Sequence, residues 1–204
     1  MTIGVGVEGP SDFVFWNKVL RKSFSADVKF DIWNMKSCGR LIHEASRLLN
    51  TFRDARYEAG FLLLDYDAVP GPGSPCPAAV MDLFEDVVRT EATRPLPERY
   101  FFVCVAIRGL EAWYLADDSA VMSLIPGLEY TAPTDTGSLR GDTLQRFWKQ
   151  SHGKSFQKIE FARSIGSRFD PGVAAEHSRS FRHFWERLNT KAGHTIKTPD
   201  SSQR

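Results

Sequence analysis

The sequence predicts an α/β fold: a mostly parallel central sheet with helices on both faces, followed by a helical carboxyl-terminal extension. Three observations carry this reading. Apolar runs at residues 3–7, 61–64 and 100–107 have strand length and are nearly continuous, as in strands buried on both faces. Between them the apolar residues recur at three- and four-residue steps, the pattern of helices with one buried face. Each run also delivers an acid at or just past its carboxyl end: Glu8, then Asp65 and Asp67, then Glu111.

Residues 3–7 are β-branched and short, and read as the first strand. Gly9, Pro10, Ser11 and Asp12 break it and start a helix, because proline is preorganised for a first turn and an acid there meets the positive end of the helix dipole. Phe13, Trp16, Leu20 and Phe24, with Val19 beside them, give this helix its predicted buried face. Residues 28–33 alternate apolar and polar side chains and read as a second strand. A helix opens at Gly39, with Leu41, Ile42, Ala45, Leu48, Leu49 and Phe52 as its apolar stripe. Gly60 marks the turn into the third strand. Asp65 and Asp67 stand two apart at its end, so a locally extended chain points both side chains the same way. Residues 68–77 are rich in proline and glycine and read as a loop able to cover a substrate.

Val80, Met81, Phe84, Val87 and Val88 form the next predicted helix, and residues 94–97 end it. The strand at 100–107 then leads into Gly109, Leu110 and Glu111. Beyond it, residues 131–140 read as a loop and residues 144–148 and 155–169 as helical. Phe181, Phe184, Trp185 and Leu188 form the face of a last helix. The expected organisation is a core over residues 1–120, a basic helical extension over 121–190 that completes the same domain, and a flexible tail over 191–204.

A net charge of +1 conceals an asymmetry. Thirteen Lys and Arg face 19 Asp and Glu through residue 139, whereas 13 face 6 from Arg140 onward. Such a division suits a carboxylate site beside a surface that holds phosphates. Arg163, Arg168, Arg179, Arg182 and Arg187 are the candidates for that surface. Cys38, Cys76 and Cys104 form no CxxC pair, and the five histidines have no zinc-site spacing. With no signal-like amino terminus and no apolar stretch of membrane-spanning length, the expectation is a cytoplasmic protein with no membrane association.

Gly4, Gly6 and Gly9 spell GxGxxG, but two of them fall inside the strand and Glu8 would face a pyrophosphate. The acids are the stronger signal. Right-handed crossovers between parallel strands align their carboxyl ends along one edge, where Glu8, Asp65, Asp67 and Glu111 converge. Carboxylates held together repel unless they share cations, and hard oxygen donors suit Mg²⁺ or Mn²⁺.

This order of acids resembles the TOPRIM domain, the Rossmann-like metal-dependent fold of topoisomerases, primases and the overcoming-lysogenization-defect nucleases. The matching segments are Val7-Glu8-Gly9, Asp65-Tyr66-Asp67 and Gly109-Leu110-Glu111, with Asp12 where the nuclease branch more usually has Glu. Lys158 matches that branch's lysine, and Lys154 is the alternative. Residues 111–117 and 180–184 resemble a family of small stand-alone TOPRIM-like bacterial proteins of unassigned function, some encoded near defence genes.

The resemblance implies a Mg²⁺- or Mn²⁺-dependent nuclease acting on DNA or RNA, with a place in phage defence and an ATPase as a partner. Glu8, Asp65, Asp67 and Glu111 are then the metal ligands, and Asp12 and Lys158 complete the catalytic set. Paired metals about 3.5–4 Å apart activate water and stabilise the leaving oxygen, and a lysine offsets charge developing on the phosphate. Two alternatives stand beside this. In a haloacid-dehalogenase-type phosphatase Asp65 would be the nucleophile and Asp67 the acid, although that family places its DxD after the first strand and follows it with Thr, where this chain has Ala68. In a non-catalytic TOPRIM scaffold the same acids would support binding of an ATPase or nucleic acid without cleavage.

Overall fold

A computed structural model describes residues 1–66, 81–82, 84–86, 90, 100–107, 109–125 and 141–193 of the protein. Four strands, β1 (Thr2–Val7), β2 (Lys29–Asn34), β3 (Ala59–Asp65) and β4 (Phe101–Ala106), form one sheet in the order β2-β1-β3-β4. Every neighbouring pair is parallel. Helix α1 (Pro10–Ser23) joins β1 to β2, and α2 (Cys38–Asp54) joins β2 to β3. Residues 81–82, 84–86 and 90 are helical as well. After β4 come α3 (Leu110–Tyr114), α4 (Asp118–Leu124), α5 (Gly141–His152), α6 (Lys158–Arg168), α7 (Pro171–His177) and α8 (Arg179–Lys191). Among the described residues no helix is long and apolar enough to cross a membrane.

The chain leaves β1 toward β2 on one side and returns to β3 on the other, so α1 and α2 lie on opposite faces. Each face has its own core. Ile3, Val5, Val7, Phe61, Leu63 and Cys104 lie in one cluster with α1, α3 and α8, and α6 packs against α1. The aromatic side chains of Phe15, Trp16, Trp113, Phe181 and Phe184 fill this layer, and the Phe184 ring lies 5.1 Å from Trp16 and 6.0 Å from Phe61. Helix α8 therefore shares the core of the strands. Cys104 is buried, and burial pushes its thiol up to about 12, so it stays protonated and packs as a small apolar side chain.

On the other face Leu62, Leu64, Val103 and Val105 meet Leu41, Leu48, Leu49 and Phe52 of α2. This helix sits close because the strand residues beneath it are glycines. A Cβ on Gly4 would stand 2.5 Å from the Phe52 ring, one on Gly6 2.8 Å from Leu48, and one on Gly60 2.6 Å from Leu49. Gly4 and Gly60 are register partners, so the Phe52 ring lies across a two-glycine platform. The glycines of the GxGxxG pattern that fall within β1 thus serve helix packing. Gly4→Ala is expected to lower unfolding free energy by about 1–3 kcal/mol, the usual cost of overpacking a filled core. Urea unfolding followed by circular dichroism measures it, and a variant as stable as wild type would contradict this account of α2.

Two local expectations need correction. The buried face of α1 is Phe15, Trp16, Val19 and Leu20, whereas Phe13 is 37% exposed. At 100° per residue Phe13 stands about 110° from the middle of the face that Phe15, Trp16 and Val19 form, at the margin of the first turn where solvent reaches it. Helix α2 starts at Cys38, one residue before the expected Gly39, because the Ser37 hydroxyl caps it by accepting from the Arg40 N–H. The loops expected at 68–77 and 131–140, and the tail beyond Gly193, lie outside the described residues.

Candidate site at the carboxyl ends of the strands

Glu8 follows directly on β1 and is buried. Its Oε1 accepts a hydrogen bond from the backbone N–H of Asp65 at 2.7 Å. Asp65 closes β3, and its Oδ1 accepts from the Leu110 N–H at 2.6 Å. A residue that ends one strand thereby caps the short helix following the next. Glu8 and Asp65 meet where connections leave adjacent strands in opposite directions, the topological switch point at which open α/β sheets bind ligands.

Asp12, also buried, is the third acid at this edge. Its Oδ2 accepts from the Gly9 N–H at 3.0 Å, which closes the first turn of α1. Its Oδ1 accepts from the Tyr114 hydroxyl at 2.5 Å. The Tyr114 ring packs 4.0 Å from that of Phe15, so the β1–α1 junction is pinned to α3 by both a polar and an apolar contact. Burying carboxylates is costly unless donors meet them, and main-chain and tyrosine donors meet all three.

The structure thus brings Glu8, Asp12 and Asp65 to one edge. Glu111 is the second residue of α3, next to the Leu110 N–H that Asp65 accepts from. Asp67 lies outside the described residues. Lys158 is exposed at the first position of α6, while Lys154 is ion-paired with Glu160 at 2.5 Å. Among the described residues no three His, Cys, Asp or Glu side chains form a group that could hold a metal ion. Of the arginines proposed for phosphate, Arg182 donates to the Ala175 carbonyl at 2.7 Å and Arg187 lies over the Phe102 ring at 5.6 Å. Arg163, Arg168 and Arg179 are exposed.

Two residues that sequence reasoning did not single out organise this region. Tyr114 is one, since nothing in the spacing of residues 12 and 114 signals that they touch. Asp117 is the other: it is fully buried and caps α4 through the Ala120 N–H at 2.9 Å. Its second oxygen accepts from the Asp170 N–H at 2.6 Å, tying α4 to the start of α7. Its place before a helix is a readable capping signal, but the contact with Asp170 is not.

A family described as a domain of unknown function, DUF4276, has a model that matches residues 7–189. No curated protein and no solved structure matches the chain.

Proposed function

Since the chain belongs to the DUF4276 family, whose description assigns no activity, we propose its function from the strand-end carboxylates: a divalent-metal-dependent nuclease that hydrolyses phosphodiester bonds of DNA or RNA. The observation that carries this reading is the contact of Glu8 with Asp65 at the switch point of a parallel sheet. The TOPRIM resemblance of the flanking motifs supports it, and extends it to a role in phage defence beside a partner ATPase.

Hard carboxylate oxygens held at a partly buried edge are the donor chemistry that Mg²⁺ or Mn²⁺ takes. Glu8 and Asp65 would hold the ion together with Asp67 and Glu111. When bound, such an ion supplies an activated water and stabilises the leaving oxygen. The chain's own residues have separate tasks. Glu8 fixes the end of β3 through the Asp65 amide, and Asp65 fixes the start of α3 beside Glu111. Asp12 and Tyr114 hold the β1–α1 junction rigid, so that Glu8 keeps its direction when a phosphate approaches. Lys158 offsets the charge that develops on the phosphate.

One observation favours the scaffold reading: the described acids already receive protein donors, a use that also suits a purely structural edge. Incubating the purified chain with end-labelled DNA and RNA in Mg²⁺, in Mn²⁺ and in chelator separates the two. The expected result is cleavage in metal and none in chelator. Metal-induced thermal stabilisation without cleavage of either substrate would favour the scaffold, and the absence of both would sink the metal reading.

A further inference from the structure

We infer that the groove between β2 and α2 is a binding subsite for single-stranded nucleic acid, with Trp33 as its stacking platform. The groove encloses about 380 Å³ and is lined by Trp33, Lys36, Arg40, Glu44, Arg47 and Thr51, among others. That volume lies in the range of small-ligand pockets. Three cations against one acid give the named lining a positive balance, and Glu44 ion-pairs with both Arg40, at 2.7 Å, and Arg47. Glu44 thereby orients the two guanidinium groups along α2, while their side chains stay 48% and 76% exposed.

The indole carries the argument to a nucleic acid. Trp33 is 40% exposed, whereas Trp16, Trp113, Trp148 and Trp185 are buried. It is also fixed in place. Its Nε1–H donates to Asp31 at 2.8 Å, the Tyr57 hydroxyl donates to the same carboxylate at 2.7 Å, and the ring stands edge-on to Phe52. With its polar atom satisfied and its orientation set, the accessible ring surface is preorganised for a flat apolar partner. A rigid aromatic beside exposed cations is the arrangement that holds a base and its phosphate in single strands. A duplex keeps its bases stacked on one another and offers the indole no free base face.

The groove also lies beside the proposed catalytic edge. Asn34 pairs in register with Val7, and the Met35 N–H donates to the Val7 carbonyl, so the groove begins one strand away from Glu8. A strand lying in it would continue toward the carboxylates, which is why the inference rests on nucleic acid being their substrate.

Binding can be read without cleavage. In chelator and at low salt, octamers of deoxythymidine and of uridine are expected to quench the emission of Trp33, and a blunt DNA duplex is not. Trp33→Ala should remove the quenching and weaken binding, measured by anisotropy of labelled octamer, about tenfold. Trp33→Phe should keep most of the affinity. Replacing Arg40 and Arg47 by Gln should flatten the dependence of log affinity on log salt by about 1–2. Quenching by only one of the octamers would assign the groove to DNA or to RNA. Undiminished affinity in Trp33→Ala, or no octamer binding by wild type, overturns the inference. A chain that cuts in metal but binds independently of Trp33 sinks the groove alone. One that binds through Trp33 and never cuts sinks the nuclease reading alone.

Discussion

Asp65→Asn is expected to reduce metal-dependent cleavage by about 10²–10³-fold, the loss that follows removal of one charge-stabilising group from a reaction centre, while leaving the fold intact. The amide keeps an oxygen where Oδ1 accepts from the Leu110 N–H, so the cap on α3 survives. What disappears is the negative charge at the switch point. Asp65→Ala would confuse the two effects, because it also strands that N–H at a cost of about 1–3 kcal/mol. Cleavage rates for wild type and Asp65→Asn, measured with thermal unfolding in Mn²⁺ and in chelator, provide the check. The variant should unfold like wild type in chelator and gain less from Mn²⁺. Wild-type cleavage by Asp65→Asn would remove Asp65 from the proposed site.

Trp16→Ala carries the largest expected effect on stability, about 3–5 kcal/mol. Trp16 is fully buried and meets Phe15 at 5.0 Å, Trp113 at 6.1 Å, Phe181 at 6.3 Å and Phe184 at 5.1 Å. Its removal opens a cavity where α1, α3 and α8 join. Domains of this kind have roughly 5–15 kcal/mol in total, so the variant would be close to unfolding. Trp16→Phe should cost much less: its ring fills most of the space, and it removes a buried indole N–H that has no hydrogen-bond partner among the described residues. Denaturant unfolding of both variants decides the matter, and a Trp16→Ala protein within 1 kcal/mol of wild type would show that the cluster is not a unit.

Why β1, β3 and β4 were legible in the sequence as continuous apolar runs is clear from their burial. Strands covered on both faces must be apolar along their whole length, and β3 is buried at every residue but its last. The acids at their ends were legible for the same reason, since a charge can follow such a run only where the sheet stops. Helix α1 was legible as a helix and in most of its buried face, since Trp16, Val19, Leu20 and Phe24 are buried as expected, but not in its first turn. Phe13 and Phe15 are equally apolar, and only the sheet beneath decides which is buried.

The α/β architecture with a parallel sheet, flanking helices and a helical carboxyl-terminal part agrees with the expectation. The TOPRIM likeness remains part of the proposal, because the family the chain matches carries no described activity.

By itself, then, the sequence determined the class of fold and the strand ends at which its acids stand, because hydrophobic periodicity is a local property that each segment carries alone. Tertiary structure decided what those acids touch. The contacts of Asp65 with Leu110, of Asp12 with Tyr114 and of Asp117 with Asp170 span 45, 102 and 53 residues. No local spacing encodes such distances. The same is true of the glycines: Gly4, Gly6 and Gly60 look alike in the chain, and only the approach of α2 shows why a side chain has no room there.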